Sequence, residues 1–128
     1  MPIFDNIATP LTAFKALAQQ AFTTTTNGIG IPLKGLISLA WFFNCTAYTS
    51  GTMTFKIQVS DDNVTFVDLD EKYVIRPDAP VQITAVDQIV KIGISGVDEQ
   101  TQKYARIVTL GTVVLSGNAI AIADTDNR

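Results

Sequence analysis

From Thr52 to Val59 the side chains alternate strictly: Met53, Phe55, Ile57 and Val59 fall on one face, and Thr54, Lys56 and Gln58 on the other. A period of two belongs to a strand with one face in a core and one in water. Ser60-Asp61-Asp62-Asn63 interrupts the alternation with short polar side chains that bond their own backbone and tolerate left-handed geometry. Val64-Thr65-Phe66-Val67 then resumes as a return strand. Two strands closed by a polar turn make a hairpin, so the stretch from Gly51 to Leu69 commits the chain to an antiparallel sheet.

The remainder reads as more of the same. Residues 1–20 carry two competing signals: Thr9-Pro10 suits a helix cap and first turn, with Leu11, Phe14, Leu17 and Ala18 at helical spacing. The alternative is an extended arm whose Ile3, Phe4, Ile7, Leu11 and Phe14 bury against a neighbour. Phe22-Thr-Thr-Thr-Thr26 is strand-like, Asn27-Gly28 reads as a tight turn, and Ile29-Gly-Ile31 resumes the strand. Leu36 to Cys45 is almost continuously apolar, as expected of a central strand covered on both faces, with Trp41, Phe42 and Phe43 in the core.

Further strands are expected at Lys72–Ile75, Val81–Ala85, Ile89–Ile94 and Lys103–Leu110, with a turn at Arg76–Pro80 and an acidic loop at Ser95–Gln100. Gly111 to Ile122 reads as a last pair broken at Ser116-Gly117-Asn118. Short strands at such regular spacing predict an all-β, antiparallel sandwich or jelly roll over residues 21–124, with an N-terminal arm or short helix (1–20) and a polar tail (125–128).

Composition removes several classes of function. The 128 residues suit one domain with a real core. There is no histidine, which takes away the commonest general base and zinc ligand, and the lone Cys45 excludes an intrachain disulfide. It lies in an apolar run, where a free thiol is usually a small buried hydrophobe. Net charge is −3, divided as +2 over residues 1–60, −6 over 61–100 and +1 over the rest. With no basic stripe to neutralise phosphates, nucleic acid is not an expected partner. No run spans a bilayer, so no membrane partner is expected either; the N-terminus lacks a signal-peptide layout, so synthesis and folding in a cytoplasm are expected.

Candidate sites are few. Asp61, Asp62, Asp68, Asp70 and Glu71 could supply oxygen ligands to calcium, but they lack EF-hand spacing and sit where turn residues belong. Glu71 and Glu99 are the only glutamates, with no identifiable carboxylate pair for glycoside hydrolysis. Asn44-Cys-Thr46 and Asn63-Val-Thr65 match the glycosylation pattern without an export signal to make it meaningful. Arg106, beside Tyr104 in a strand, faces an acidic partner or lies paired on the solvent face. No catalytic residue, metal or cofactor is expected, and no enzyme.

Phe4-Asp-Asn6, Thr25-Thr-Asn-Gly-Ile-Gly30 with Leu33-Lys-Gly35, the hairpin Phe55–Phe66, and Lys103-Tyr-Ala-Arg-Ile107 together resemble a family of small tailed-bacteriophage structural proteins, the capsid cement or decoration proteins. The resemblance covers most of the chain but not Lys72 to Gly96. It implies a virion component on the phage head exterior, bound to the major capsid protein as a homotrimer and stabilising the mature shell. It also makes the arm residues Ile3, Phe4, Ile7, Leu11 and Phe14 the expected contact. A second resemblance, carried by Ile57–Phe66 and Tyr104–Ile107, is to discoidin-like carbohydrate-binding jelly rolls, which implies a receptor- or glycan-binding module of a phage tail. Sugar sites favour an aromatic in a loop, and Tyr48 is the main aromatic expected off a strand.

Overall fold

The computed structural model describes residues 11–76, 79–97 and 100–125. Among them, ten strands form two sheets: β1 (Leu11–Phe22), β2 (Thr26–Asn27), β3 (Ile31–Pro32), β4 (Leu36–Gly51), β5 (Thr54–Ser60), β6 (Val67–Asp68), β7 (Val74–Ile75), β8 (Ile89–Ile94), β9 (Tyr104–Leu110) and β10 (Val113–Thr125). Sheet A runs β1-β10-β4-β8-β7, and sheet B runs β2-β9-β5-β6 with β3 also on β9. Every pairing is antiparallel. If β2 and β3 are one broken strand and β7 an addition to β8, the eight remaining strands order as first-eighth-third-sixth and second-seventh-fourth-fifth. That double wrapping is the jelly roll.

The hairpin expected from the alternation is present, with Met53, Phe55, Ile57 and Val59 all buried. Its return strand is shorter and later than Val64–Val67: only Val67 and Asp68 pair, with Val59 and Gln58. Opposite this sheet, β4 turns Leu39, Trp41, Phe43 and Cys45 inward. Sheet A makes room for Trp41 and Phe43 by setting Ala121 and Ala119 beside them in register. Phe43 meets Phe22 edge-on and Phe55 tilted, each at 5.3 Å between ring centres, so these rings join the two sheets. Two of the changes of sheet, β4 to β5 and β9 to β10, use glycine: Gly51 and Gly111 have φ of 92° and 119°. A Cβ on Gly111 would lie 2.4 Å from the Thr52 carbonyl oxygen.

Several expectations are corrected. Residues 11–20 belong to a strand, not a helix. In β1 the register against β10 shifts between Lys15 and Leu17, and Ala16 and Leu17 are both buried. A bulge of this kind adds one residue to the inward spacing, so Phe14 and Leu17 share a face three residues apart as they would on a helix. Asn27-Gly28 does not reverse the chain: β2 and β3 both lie along β9, Gly28 N–H donating to Ile107 O at 2.7 Å between them.

Strand β4 runs on to Gly51 and is covered on one face only, since Ala40, Phe42 and Asn44 on the other are half exposed. Ser116-Gly117-Asn118 does not break β10, because Gly117 is a close-approach glycine: a Cβ there would sit 2.4 Å from Asn44 O. Val81–Ala85 contributes a single bridge, Ile83 to Met53. Before β7, Glu71–Tyr73 forms a 3₁₀ turn capped by Asp70.

Candidate interaction surfaces

The outer face of sheet A follows from the strand register. One row across the sheet is Ala13, Ile122, Ala40, Gly93 and Ile75; the next is Lys15, Ile120, Phe42 and Lys91. The inward neighbours of these residues fill the core, so the outward ones face solvent. Ile120 is 42% exposed, Ile75 43% and Ile89 53%. Such residues singly are ordinary, but here they adjoin Phe42 and Ile122 in one patch. Lys91 lays its ammonium 5.5 Å from the Phe42 ring centre. Because Gly93 contributes no side chain, the face is hollowed into a groove of about 320 Å³ between Ile122, Ala40 and Phe42 on one side and Ile75 on the other. Further along, the face turns polar: Asn118 donates to Gln19 Oε1 at 2.8 Å, and Gln19 donates to Thr46 Oγ1 at 2.7 Å.

A larger open cleft of about 700 Å³ lies at one end of the sandwich, where the Leu33–Ile37 turn meets the segment ending in Tyr104. Its apolar floor includes Leu33, Leu36 and Val97, all buried. Tyr104, Gln100, Gln102, Lys34 and Lys103 contribute the polar rim.

Four of the five acidic residues singled out, Asp62, Asp68, Asp70 and Glu71, serve local structure. Asp62 Oδ1 accepts from Val64 N–H at 2.9 Å, Thr65 N–H at 2.8 Å and Ser60 Oγ–H at 2.9 Å. These donors favour the ionised form and hold its carboxyl below the ordinary carboxylate range, the Thr65 and Val64 amides having the largest effect. Asp68 accepts from Gln58 at 3.0 Å and pairs with Lys56 at 2.9 Å, which lowers its pKa in the same sense. Asp70 caps the 3₁₀ turn and Glu71 pairs with Arg76. Among the described residues no three His, Cys, Asp or Glu side chains gather as metal ligands.

Arg106 lies on the outer face of sheet B as a paired arginine: its Nε and Nη2 donate to Gln58 Oε1, and its guanidinium covers Phe66. Cys45 is fully buried, with Sγ 3.3 Å from the Ala47 carbonyl, and burial pushes its thiol pKa up. Among the described residues no helix is long and apolar enough to cross a membrane.

Of the expected contact residues, Ile3, Phe4 and Ile7 lie outside the described residues. Leu11 opens β1, opposite Asp124, and Phe14 is built into the sandwich, half buried against the core. The structure therefore separates Phe14 from the arm. Sequence reasoning missed the Ile120–Phe42–Ile75 face, since its residues come from three strands and join only through register. Tyr48, the aromatic expected in a loop, lies on β4 with its hydroxyl donating to Gly51 O at 2.7 Å.

No protein-family model matches the chain, and no curated protein sequence does. Solved structures do match. The SPBc2 prophage-derived protein YomS superposes with a TM-score of 0.58 over 88% of this chain and 91% of its own, at 12% identity. A chain in the structure of infectious bursal disease virus Gx strain superposes with a TM-score of 0.55 over 92% of this chain and 33% of its own, at 14% identity. The likeness is one of fold. It places this two-sheet sandwich beside a prophage-derived protein and a chain from a virus.

Proposed function

We propose that this chain is a bacteriophage virion structural protein, a capsid cement or decoration protein. It binds the major capsid protein on the outer face of the mature head as a homotrimer and stabilises the shell, without catalysis. The observation that carries this reading is the outward-facing apolar patch of Ile75, Phe42, Ile120 and Ile122 on sheet A, the kind of surface a partner covers. The jelly-roll likeness to a prophage-derived protein and to a chain from a virus supports it. A small module that binds only the assembled arrangement shifts the equilibrium toward that arrangement, and three linked contacts add through effective concentration. The N-terminal segment with Ile3, Phe4 and Ile7 adds to the contact, against the capsid or an adjacent protomer.

The test is co-sedimentation with mature, undecorated heads and with immature shells. Binding to mature heads alone is expected, lost on removing residues 1–10 while the sandwich still unfolds cooperatively; equal binding without the arm, or none to either shell, overturns the reading. Light scattering is expected to give a trimer, three times the 13.8 kDa chain or about 41 kDa.

The cleft beside Tyr104, with Gln100 and Gln102 on its rim, favours a second reading as a carbohydrate- or receptor-binding module of a tail, since an aromatic ring flanked by amides suits a sugar. A glycan array separates the two.

A further inference from the structure

The groove over Gly93 is an apolar hollow with one cation on its rim, Lys91. Residues 1–10 supply the complementary chemistry: Asp5 is the only acid among the first 60 residues, and it is bracketed by Ile3, Phe4 and Ile7. Resting on the oligomeric reading above, we propose that Ile3 to Ile7 of one copy seat in the sheet A groove of the next, Phe4 over Gly93 and Asp5 against Lys91.

Reach and direction both bear on this. Leu11 starts β1 at the edge of sheet A, three strand positions from β8. At about 4.8 Å per strand that is roughly 15 Å, and the seven residues from Phe4 to Leu11 span up to about 24 Å. The segment is long enough to cross a sheet face of this width. Pro10 bears on which groove: the residue before a proline is biased to extended backbone, which disfavours a tight turn at Thr9. Doubling back onto its own outer face needs a reversal at that point. An arm leaving one copy for a different surface on the next makes a heterologous contact, which closes into a ring when the rotation allows, as in a trimer.

The groove suits such a guest. Ile75 and Ile122 provide opposed apolar walls, and a Cβ on Gly93 would come within 3.1 Å of Leu39 O, so the hollow is a property of the backbone path. Lys91, exposed and on the rim, is placed to meet a carboxylate while its stem covers Phe42.

The test uses the full chain with surface substitutions that leave the core untouched. Asp5→Lys and Lys91→Asp are each expected to raise the oligomer dissociation constant about fivefold, and the two together to restore it, as for an exposed charge pair. Independently, Phe4→Cys protein mixed with Ile75→Cys protein is expected to give a mixed disulfide of twice the chain mass on air oxidation. An oligomer that shows neither the restoration nor the mixed disulfide overturns the arm exchange and leaves the oligomeric reading standing. A monomer that forms an intrachain disulfide when both cysteines are on one chain overturns the exchange in favour of self-docking. A wild-type chain that stays monomeric at all concentrations overturns the oligomeric reading itself.

Discussion

The guanidinium of Arg106 lies 3.9 Å from the centre of the Phe66 ring. In the same position its Nε and Nη2 both donate to Gln58 Oε1, at 3.0 and 2.7 Å. One planar group thereby ties β9 to β5 and covers the loop that follows β5. A lysine keeps the charge but cannot stack flat and fork two donors onto one oxygen. Arg106→Lys is therefore expected to lower stability by about 1 kcal/mol, the size of an exposed cation–π contact with part of a hydrogen bond. Urea denaturation measures this, and an unchanged midpoint shows that the stacking contributes nothing.

A second prediction concerns acid. The Asp62 carboxylate accepts from two loop amides and the Ser60 hydroxyl, and its folded pKa lies below the ordinary value of 3.8. A group with a depressed folded pKa contributes stability that is present above its unfolded pKa and is lost as pH falls through the folded one. Wild-type protein should lose stability below about pH 4, in part through Asp62. Asp62→Asn keeps an acceptor but not the charge, so it should flatten that part of the curve and lower the plateau at neutral pH. Thermal melts from pH 7 to pH 2.5 decide it; curves of identical shape show that Asp62 does not contribute.

The fold class was legible from the sequence because most strands keep one face in the core. The alternation from Met53 to Val59 led directly to the buried face of β5. The errors fall where period two is broken or hidden. A bulge at Ala16 gives Phe14 and Leu17 the spacing of a helix. Gly117 resembles a turn residue, and only the partner strand shows that Asn44 O and Phe43 occupy the space of its missing side chain. In β4, apolar residues on the outer face made a half-exposed strand read as a fully buried one. That same excess of apolar residues forms the candidate surface, so the misreading and the surface have one cause. The patch also depends on Ile120 pairing beside Phe42, a relation between residues 78 positions apart that no local pattern encodes.

Two glycines separate steric from conformational demand. A Cβ on Gly117 would meet Asn44 O at 2.4 Å and Phe43 Cζ at 2.8 Å, and a backbone oxygen cannot move without disturbing the β10–β4 ladder. Gly117→Ala is expected to cost about 2 to 3 kcal/mol, the range for an overfilled core. Gly35 has φ of 83°, and a Cβ there would have nothing within 4 Å, so its replacement meets only backbone strain. Gly35→Ala is expected to cost about 1 kcal/mol. Equal losses in the two variants would contradict the close approach at Gly117.

The two faces of the sandwich also predict opposite outcomes for the same chemical change. Ile107 is fully buried on β9, while Ile120 is 42% exposed on β10. Truncating Ile107 leaves a cavity beneath Gly28, whose missing Cβ would lie 2.8 Å from Ile107 Cγ2, and both sheets are held in place around it. Ile107→Ala is expected to cost about 3 to 4 kcal/mol. Ile120→Ala trims a side chain that is already partly in water on the outer face and leaves no enclosed void, so a loss of less than about 1 kcal/mol is expected for the isolated chain. If the Ile120 face is a contact surface, the order reverses when assembly is measured. Ile120→Ala then weakens association while the monomer melts almost as wild type. Chemical denaturation at low protein concentration, compared with sedimentation at high concentration, separates the two effects; a large loss of monomer stability in Ile120→Ala would show that this face is core and not surface.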